Sequence, residues 1–284
     1  MIYDRKTKTI LPEDIYKSRT LNFYYNTVIG GFFRLLARLP IISKICSLSQ
    51  KRNNSKKNID GFIKKYNIDM QQYDGNYNTF NDFFVRKRKH EHIDHNQLHL
   101  IAPADSCLLV KSIRDGVIYT IKNRSYTIGK FLKNNDLAKE YEGGLCLIFR
   151  LRVYDYHRFG FIDNGTISGT KRIRGVLDSV NTRATGKFTL SSNYRVHNFL
   201  QTDNFSEVIF SEVGAMLVGQ ITQTHTGNSF KKGDEKGYFE YGGSTIVLLL
   251  KKNIVEIDED ILNQSAIGVE TKVRYGEKIG VRVV

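Results

Sequence analysis

Tyr241-Gly242-Gly243-Ser244-Thr245 runs straight into Ile246-Val247-Leu248-Leu249-Leu250. A short apolar run behind a Gly-Gly pair reads as a tight turn entering a buried strand. The same stretch can carry chemistry. Gly-Gly lets the backbone take positive-φ conformations that other residues resist. A serine hydroxyl directly after it can attack the carbonyl carbon of Gly243. The peptide C–N bond then breaks as an ester forms. β-Elimination of that ester leaves an amino-terminal dehydroalanine, which hydrolyses to a pyruvoyl group. For these five residues alone the turn reading wins, because such tetrapeptides are common, and only the neighbouring sequence can tip the balance toward the self-cleaving serine.

From Leu98 onward, short apolar runs alternate with Gly, Asn and Asp turns: Leu108–Ser112, Val117–Ile121, Leu145–Val153, Val208–Phe210, Met216–Ile221 and Ile246–Leu250. This is the texture of a β-rich domain. The first hundred residues differ. Phe23, Tyr24, Val28, Phe32, Leu35, Leu36 and Leu39 share one side of a helical projection, and Pro40 ends that pattern. Ile41, Ile42, Ile45 and Leu48 begin a second short helix, ringed by Arg34, Arg38, Lys44, Lys51, Arg52, Lys56 and Lys57. Residues 58–69 read as another helix, and Thr79 as the cap of a short one holding Phe80, Phe83 and Phe84. The expected fold class is therefore α+β. N-terminal amphipathic helices (1–97) precede a β-rich domain that bears the chemistry (98–284).

The 284 residues carry a net charge of +14, which calls for an anionic partner or reflects a lysine-rich solvated surface. No RRM, KH, zinc-finger or helix-turn-helix signature points to nucleic acid. Forty per cent hydrophobic content, with 17 Phe and 16 Tyr, is enough for a sizeable core. Cys46, Cys107 and Cys146 are odd in number and far apart, which suits a reducing compartment and offers no metal spacing. No apolar run is long enough to span a bilayer, and no secretory signal is evident.

Upstream of the Gly-Gly-Ser-Thr segment lie, in order, Thr79-Phe80-Asn81-Asp82-Phe83-Phe84-Val85-Arg86, Pro103-Ala104-Asp105-Ser106 and Asp155-Tyr156-His157-Arg158. Val213-Gly214-Ala215-Met216-Leu217-Val218-Gly219 and Glu235-Lys236-Gly237-Tyr238-Phe239-Glu240 follow. This ordered set resembles phosphatidylserine decarboxylases, closest to the clostridial-type branch with Gly-Gly-Ser-Thr at its cleavage site. The resemblance spans the chain from roughly the first helix to Gly280.

The resemblance implies self-cleavage between Gly243 and Ser244, with the two products staying together as a heterodimer. It also implies a pyruvoyl cofactor made from Ser244. An imine between that carbonyl and the substrate amine would take up the electrons left by departing carbon dioxide. Neither metal nor pyridoxal phosphate is then needed. The base that activates Ser244 would be His157, with Asp105 as its orienting carboxylate. The implied partners are phosphatidylserine and an anionic membrane surface, with the chain held peripherally on the cytoplasmic face. The basic amphipathic N-terminus suits that reading, although an ordinary packed helix would show the same pattern.

Two positions depart from the pattern: Gly160 and Asp178 stand where family members often carry histidine. His225 is a candidate for the missing role and for substrate contact. Arg158 is the first choice for a lipid phosphate, with an ion pair to Asp155 or Asp163 as its alternative. Lys171, Arg172, Arg174, Arg183 and Arg195 are further candidates that spacing does not rank. Two other readings stay open: a related pyruvoyl decarboxylase of another amino substrate, and a non-catalytic lipid-surface binding homologue.

Overall fold

The computed structural model describes residues 1–13, 23, 27, 29–30, 48–121, 124–177, 190–215, 220–242 and 244–283. In chain order its elements are β1 (Ile2–Asp4), β2 (Thr9–Leu11), α1 (Ile59–Tyr66), α2 (Phe80–Phe84), β3 (His99–Ile101), β4 (Ser106–Ser112), β5 (Val117–Ile121), β6 (Arg124–Thr127), α3 (Ile128–Leu132), α4 (Asn135–Lys139) and β7 (Leu145–Leu151). There follow β8 (Arg158–Gly160), β9 (Gly165–Ile173), β10 (Arg195–Thr202), β11 (Ser206–Gly214), β12 (Ile221–Gln223), β13 (Ser229–Phe230), β14 (Glu235–Phe239), β15 (Ser244–Leu250), β16 (Val255–Ile257), α5 (Glu259–Ala266), β17 (Glu270–Val273) and β18 (Lys278–Arg282). The architecture is α+β and dominated by strands. The expected helices of residues 20–50 lie almost wholly outside the described residues.

The apolar run after Ser244 becomes β15, and all seven of its residues are buried. Such a run needs cover on both faces. It gets that cover as an interior strand of a ten-stranded sheet ordered β13-β9-β10-β11-β15-β7-β4-β17-β1-β2. Ile246, Leu248 and Leu250 face one core with Phe149, Leu151, Phe210, Phe159, Phe161 and Phe239. Val247 and Leu249 face a second core with Cys146, Ile148, Val213, Ile128 and Phe131. The first core lies beneath a three-stranded sheet, β12-β14-β8. Toward the outer edge, β9 alternates half-buried and exposed positions, as a strand covered on one face should.

The N-terminus joins this sheet. β1 runs parallel to β17, pairing Ile2 with Glu270, and Glu13 ion-pairs with the buried Arg150 at 2.8 Å. Farther along, α1 buries Ile59 and Phe62 on one side and ends at Asn67, whose φ of 48° closes the helix in the left-handed region. The cap read at Thr79 is present as a full capping box: its hydroxyl accepts from Asp82 N at 3.1 Å, and Asp82 accepts from Thr79 N at 3.0 Å. The aromatic face of α2 then packs with Phe62 and Tyr241 in a third cluster.

Candidate active site

Ser244 is the first residue of β15, opposite Gly214 of β11 and Leu151 of β7. It is wholly buried, and its Oγ has no hydrogen-bond partner among the described residues. Leaving a buried hydroxyl unsatisfied is costly, which marks the position as one kept for a reason other than stability. Two residues earlier, Gly242 has φ 143°, a conformation open to glycine and strained for any side chain. Gly242 thus permits the turn that leads into a strand beginning at Ser244.

Aromatic packing holds the approach to this turn. Tyr241 lies edge-on to Phe80 and Phe84, with ring centres 5.5 and 5.3 Å apart, and its N–H donates to Asn81 Oδ1 at 3.3 Å. The Thr79–Arg86 segment thus braces the residues before Ser244. Arg86 is itself buried and donates to the carbonyls of Tyr154 at 3.2 Å and Asp155 at 3.4 Å.

His157 is wholly buried beside the same turn. Its ring centre is 4.1 Å from that of Phe84, and its carbonyl accepts from Phe239 N at 3.0 Å. Nδ1 lies 2.9 Å from the Asp155 carbonyl oxygen, so Nδ1 carries the proton and Nε2 the free lone pair. Nε2 is buried with no partner among the described residues. Burial pushes the imidazole pKa down to about 4, with the Arg86 charge adding to the effect. Asp155, and the Gly242 backbone nearby, act in the opposite direction. At neutral pH the imidazole is therefore an unprotonated base next to the glycine turn. A side-chain clamp keeps Asp155 in place: Arg152 holds its carboxylate through contacts of 2.7 to 3.1 Å.

Asp105 is engaged elsewhere. Its carboxylate accepts from both terminal nitrogens of Arg88 and, at 2.9 Å, from Tyr275 N. No hydrogen bond joins Asp105 to His157, whose Nδ1 is taken by a backbone carbonyl. The expected carboxylate–imidazole pair is therefore replaced by an Asp155 carbonyl–imidazole pair. The sequence signal for Asp155 was its place in Asp155-Tyr156-His157-Arg158, but a main-chain acceptor leaves no mark in residue identity.

Arg158 is committed too. It ion-pairs with Glu235 at 2.8 Å, not with Asp155 or Asp163, and donates to the Val85 carbonyl at 3.0 Å. Lys171 donates to the Leu132 carbonyl at 3.1 Å, and the buried Arg195 is cradled by the carbonyls of Phe131, Ser191 and Asn193. Arg183 and Asp178 lie outside the described residues. Arg172 is exposed and forms no ion pair with a described residue. His225 rests edge-on against Phe161 at 5.0 Å, with Nε2 shielded and unpartnered among the described residues. Gly160 has no room for a side chain: a Cβ there would sit 1.9 Å from Tyr275 Oη. His197 is a satisfied core residue between Ser211 Oγ at 2.7 Å and the Phe131 carbonyl at 3.2 Å.

A buried serine whose hydroxyl has no partner among the described residues, a glycine two residues before it in a conformation that suits glycine alone, and an unprotonated imidazole beside that glycine are the parts that backbone acyl transfer needs. Comparison with known proteins agrees with that chemistry. The family model for phosphatidylserine decarboxylase matches residues 80–281. Phosphatidylserine decarboxylase proenzyme 2 of Clostridium acetobutylicum is 45% identical over 284 residues, covering 98% of this chain and 97% of its own. The phosphatidylserine decarboxylase proenzymes of Clostridium botulinum strain Hall and Clostridium tetani are 40% and 41% identical, each covering at least 97% of both chains. This chain belongs to the phosphatidylserine decarboxylase family.

Proposed function

We propose that the chain is a proenzyme that cuts itself between Gly243 and Ser244 and then decarboxylates phosphatidylserine to phosphatidylethanolamine. The observation that carries this reading is a pair of buried atoms at one turn, Ser244 Oγ and His157 Nε2, with no partner among the described residues. His157 Nε2 takes the hydroxyl proton as Oγ attacks the Gly243 carbonyl carbon. The Gly243–Ser244 C–N bond breaks, and the proton passes to the departing amine. Loss of the Ser244 Cα proton then expels the Gly243 carboxylate from Cβ. Hydrolysis of the resulting dehydroalanine releases ammonia and leaves the pyruvoyl group.

That group fits the residues present: its precursor hydroxyl has no partner among the described residues, and the Gly242 turn needs no side chain. Once formed, it supplies a carbonyl that accepts the electron pair released by decarboxylation. His157, unprotonated and fixed by the Asp155 carbonyl, is the base for cleavage and a proton carrier for the later reaction. Asp105 supports the site through Arg88 and Tyr275. Residues 98–284 carry the reaction, and residues 1–97 contribute the lipid-facing region. Among the described residues no helix is long and apolar enough to cross a membrane. Peripheral attachment at an anionic cytoplasmic surface through the basic N-terminal segment suits the +14 charge. The two cleavage products would remain paired as a heterodimer.

The filling of Gly160 by Tyr275 favours one competing reading, a lipid-surface binding homologue without catalysis. Denaturing electrophoresis with intact mass separates the two. The parent chain is expected as two pieces, the shorter beginning with a pyruvoyl group, and Ser244→Ala as one. An uncut parent, or a cut Ser244→Ala, overturns the self-cleavage reading.

A further inference from the structure

A cavity of about 160 Å³ opens between β9–β10 of the large sheet and β12–β14 of the small one. Its polar lining comprises Thr170, Arg172, Asn198, Gln223, His225 and Lys236. Pairing register puts it on the face that Ser244 presents. Arg172, Val196, Glu212 and Ile246 form one cross-strand row, while Gly214 and Ser244 belong to the next row on the same face. Glu212 and Ser244 are thus diagonal neighbours, with Cα atoms roughly 7–8 Å apart.

The floor of the cavity is a buried polar network. Lys236, buried and 2.7 Å from the buried Glu212, also donates to Gln223 Oε1 at 2.6 Å. Asn198 donates to Glu212 Oε2 at 2.9 Å, and Thr170 to Asn198 Oδ1 at 3.1 Å. A buried ion pair costs desolvation, so a lysine and glutamate placed here need a reason beyond packing. Two groups stand over this floor with no partner among the described residues: the Arg172 guanidinium at the mouth and the shielded His225 Nε2, which donates in the tautomer that carries its proton there. Hydrogen-bond donors without acceptors suit an oxyanion, and a guanidinium fork matches a phosphate or carboxylate. The volume corresponds to about five waters, enough for a phosphate ester and too little for an acyl chain.

We infer that this cavity is a phosphate-ester site in which Arg172 and His225 hold the phosphodiester of the substrate headgroup, on the sheet face that Ser244 shares and with Arg172 three strands away from it. The inference rests on the proposed decarboxylation for its ligand, and on register and unpaired donors for its place. It moves the phosphate contact from Arg158, which Glu235 occupies, to Arg172.

The test is binding to the full-length Ser244→Ala protein, measured by calorimetry with glycerophosphoserine, inorganic phosphate and serine as separate probes. Glycerophosphoserine is expected to bind more tightly than either fragment. Arg172→Gln should weaken it about tenfold, the size of one charge-assisted hydrogen bond. Arg172→Lys should restore part of the loss, and His225→Gln should weaken binding by a smaller factor. Thermal unfolding checks that each variant is folded, and Arg172 is exposed enough to be replaced without disturbing the core. Unchanged affinity in both Arg172→Gln and His225→Gln overturns the site. Inorganic phosphate binding as tightly as glycerophosphoserine overturns the headgroup assignment in favour of free phosphate. An uncut parent chain alongside Arg172-dependent binding would overturn the cleavage reading alone. A cut and active parent without Arg172-dependent binding would overturn the site alone.

Discussion

The phenol of Tyr275 occupies the space beside Gly160: its oxygen donates to the Gly233 carbonyl at 2.8 Å and lies 1.9 Å from where a Gly160 Cβ would stand. The Asp234 carbonyl closes the same space from the backbone side at 2.5 Å. Any side chain at 160 therefore meets both a packed ring and an immovable main chain. Gly160→His is expected to destabilise the protein by about 1–3 kcal/mol, the usual cost of overpacking. Urea unfolding of Gly160→His and of Gly160→His with Tyr275→Ala measures it. The double variant should recover only part of the loss, because the Asp234 carbonyl remains. Full recovery would mean that the ring alone fills the space.

His157 and His197 each have a pKa depressed to about 4, in both cases chiefly by burial. Unfolded, each would titrate near its ordinary value of 6.5. The unfolded chain therefore binds more protons between pH 6.5 and 4, and stability falls as the pH drops through that window. The loss should reach roughly 2–3 kcal/mol for each imidazole. Urea midpoints for Ser244→Ala at pH 7, 6 and 5 should decline, and His157→Gln or His197→Gln should flatten the slope. The cleavage rate of the parent should hold down to about pH 5, since the His157 base stays unprotonated there. A rate that halves near pH 6.5 would place the base elsewhere.

Asp105 and His157 should separate under mutation. Replacing His157 by alanine removes the base and should slow cleavage by roughly 10²- to 10⁴-fold. Asp105→Asn breaks a largely shielded ion pair with Arg88 and should cost about 1–2 kcal/mol in stability, between the exposed and buried limits. Its cleavage should be slowed far less. Timed electrophoresis after translation, with urea unfolding alongside, reads both quantities. Asp105→Asn as slow as His157→Ala would return Asp105 to a direct role.

Membrane attachment can be tested without disturbing the sheet. Deleting residues 1–50 would also remove β1, β2 and the Glu13–Arg150 pair, so charge reversal is the cleaner change. Lys51 is left alone because it pairs with Glu240. Arg34→Glu, Arg38→Glu and Lys44→Glu together should abolish sedimentation with vesicles containing phosphatidylserine. The parent should bind with a salt dependence that reflects about 1 kcal/mol per basic residue near the surface. Unchanged binding would move the anchor to another part of the chain.

What could be read in advance follows the range of the interactions. Local signals were legible: Thr79 read as a helix cap, which the structure completes as a capping box with Asp82, and the unbroken run after Ser244 read as a buried strand. The order of strands was not, because β15 finds its neighbours in β7 and β11, and β1 finds β17 from the opposite end of the chain. A three-residue strand such as β1 is too short to show alternation. In the candidate site, Ser244 and His157 were singled out by their motifs. Their partners were hidden, since the acceptor for His157 is a carbonyl and Arg158 meets Glu235 from 77 residues away. Four strands and two loop residues, Tyr194 and His225, line the cavity proposed for the headgroup, and no single segment announces it.

The position of Ser244 at the head of an interior strand has a mechanical consequence. A cut immediately before it severs the chain but leaves in place the rungs that tie Thr245–Leu249 to Val213–Ile209 and Thr245–Leu250 to Arg150–Leu145. The shorter product would be stitched into the middle of the sheet and could leave only by unzipping both sides at once. Its exchange with fragments of another molecule would then proceed no faster than unfolding of the whole domain. Maturation would thus be a permanent event in the life of each molecule, with every C-terminal piece staying beside the chain from which it was cut.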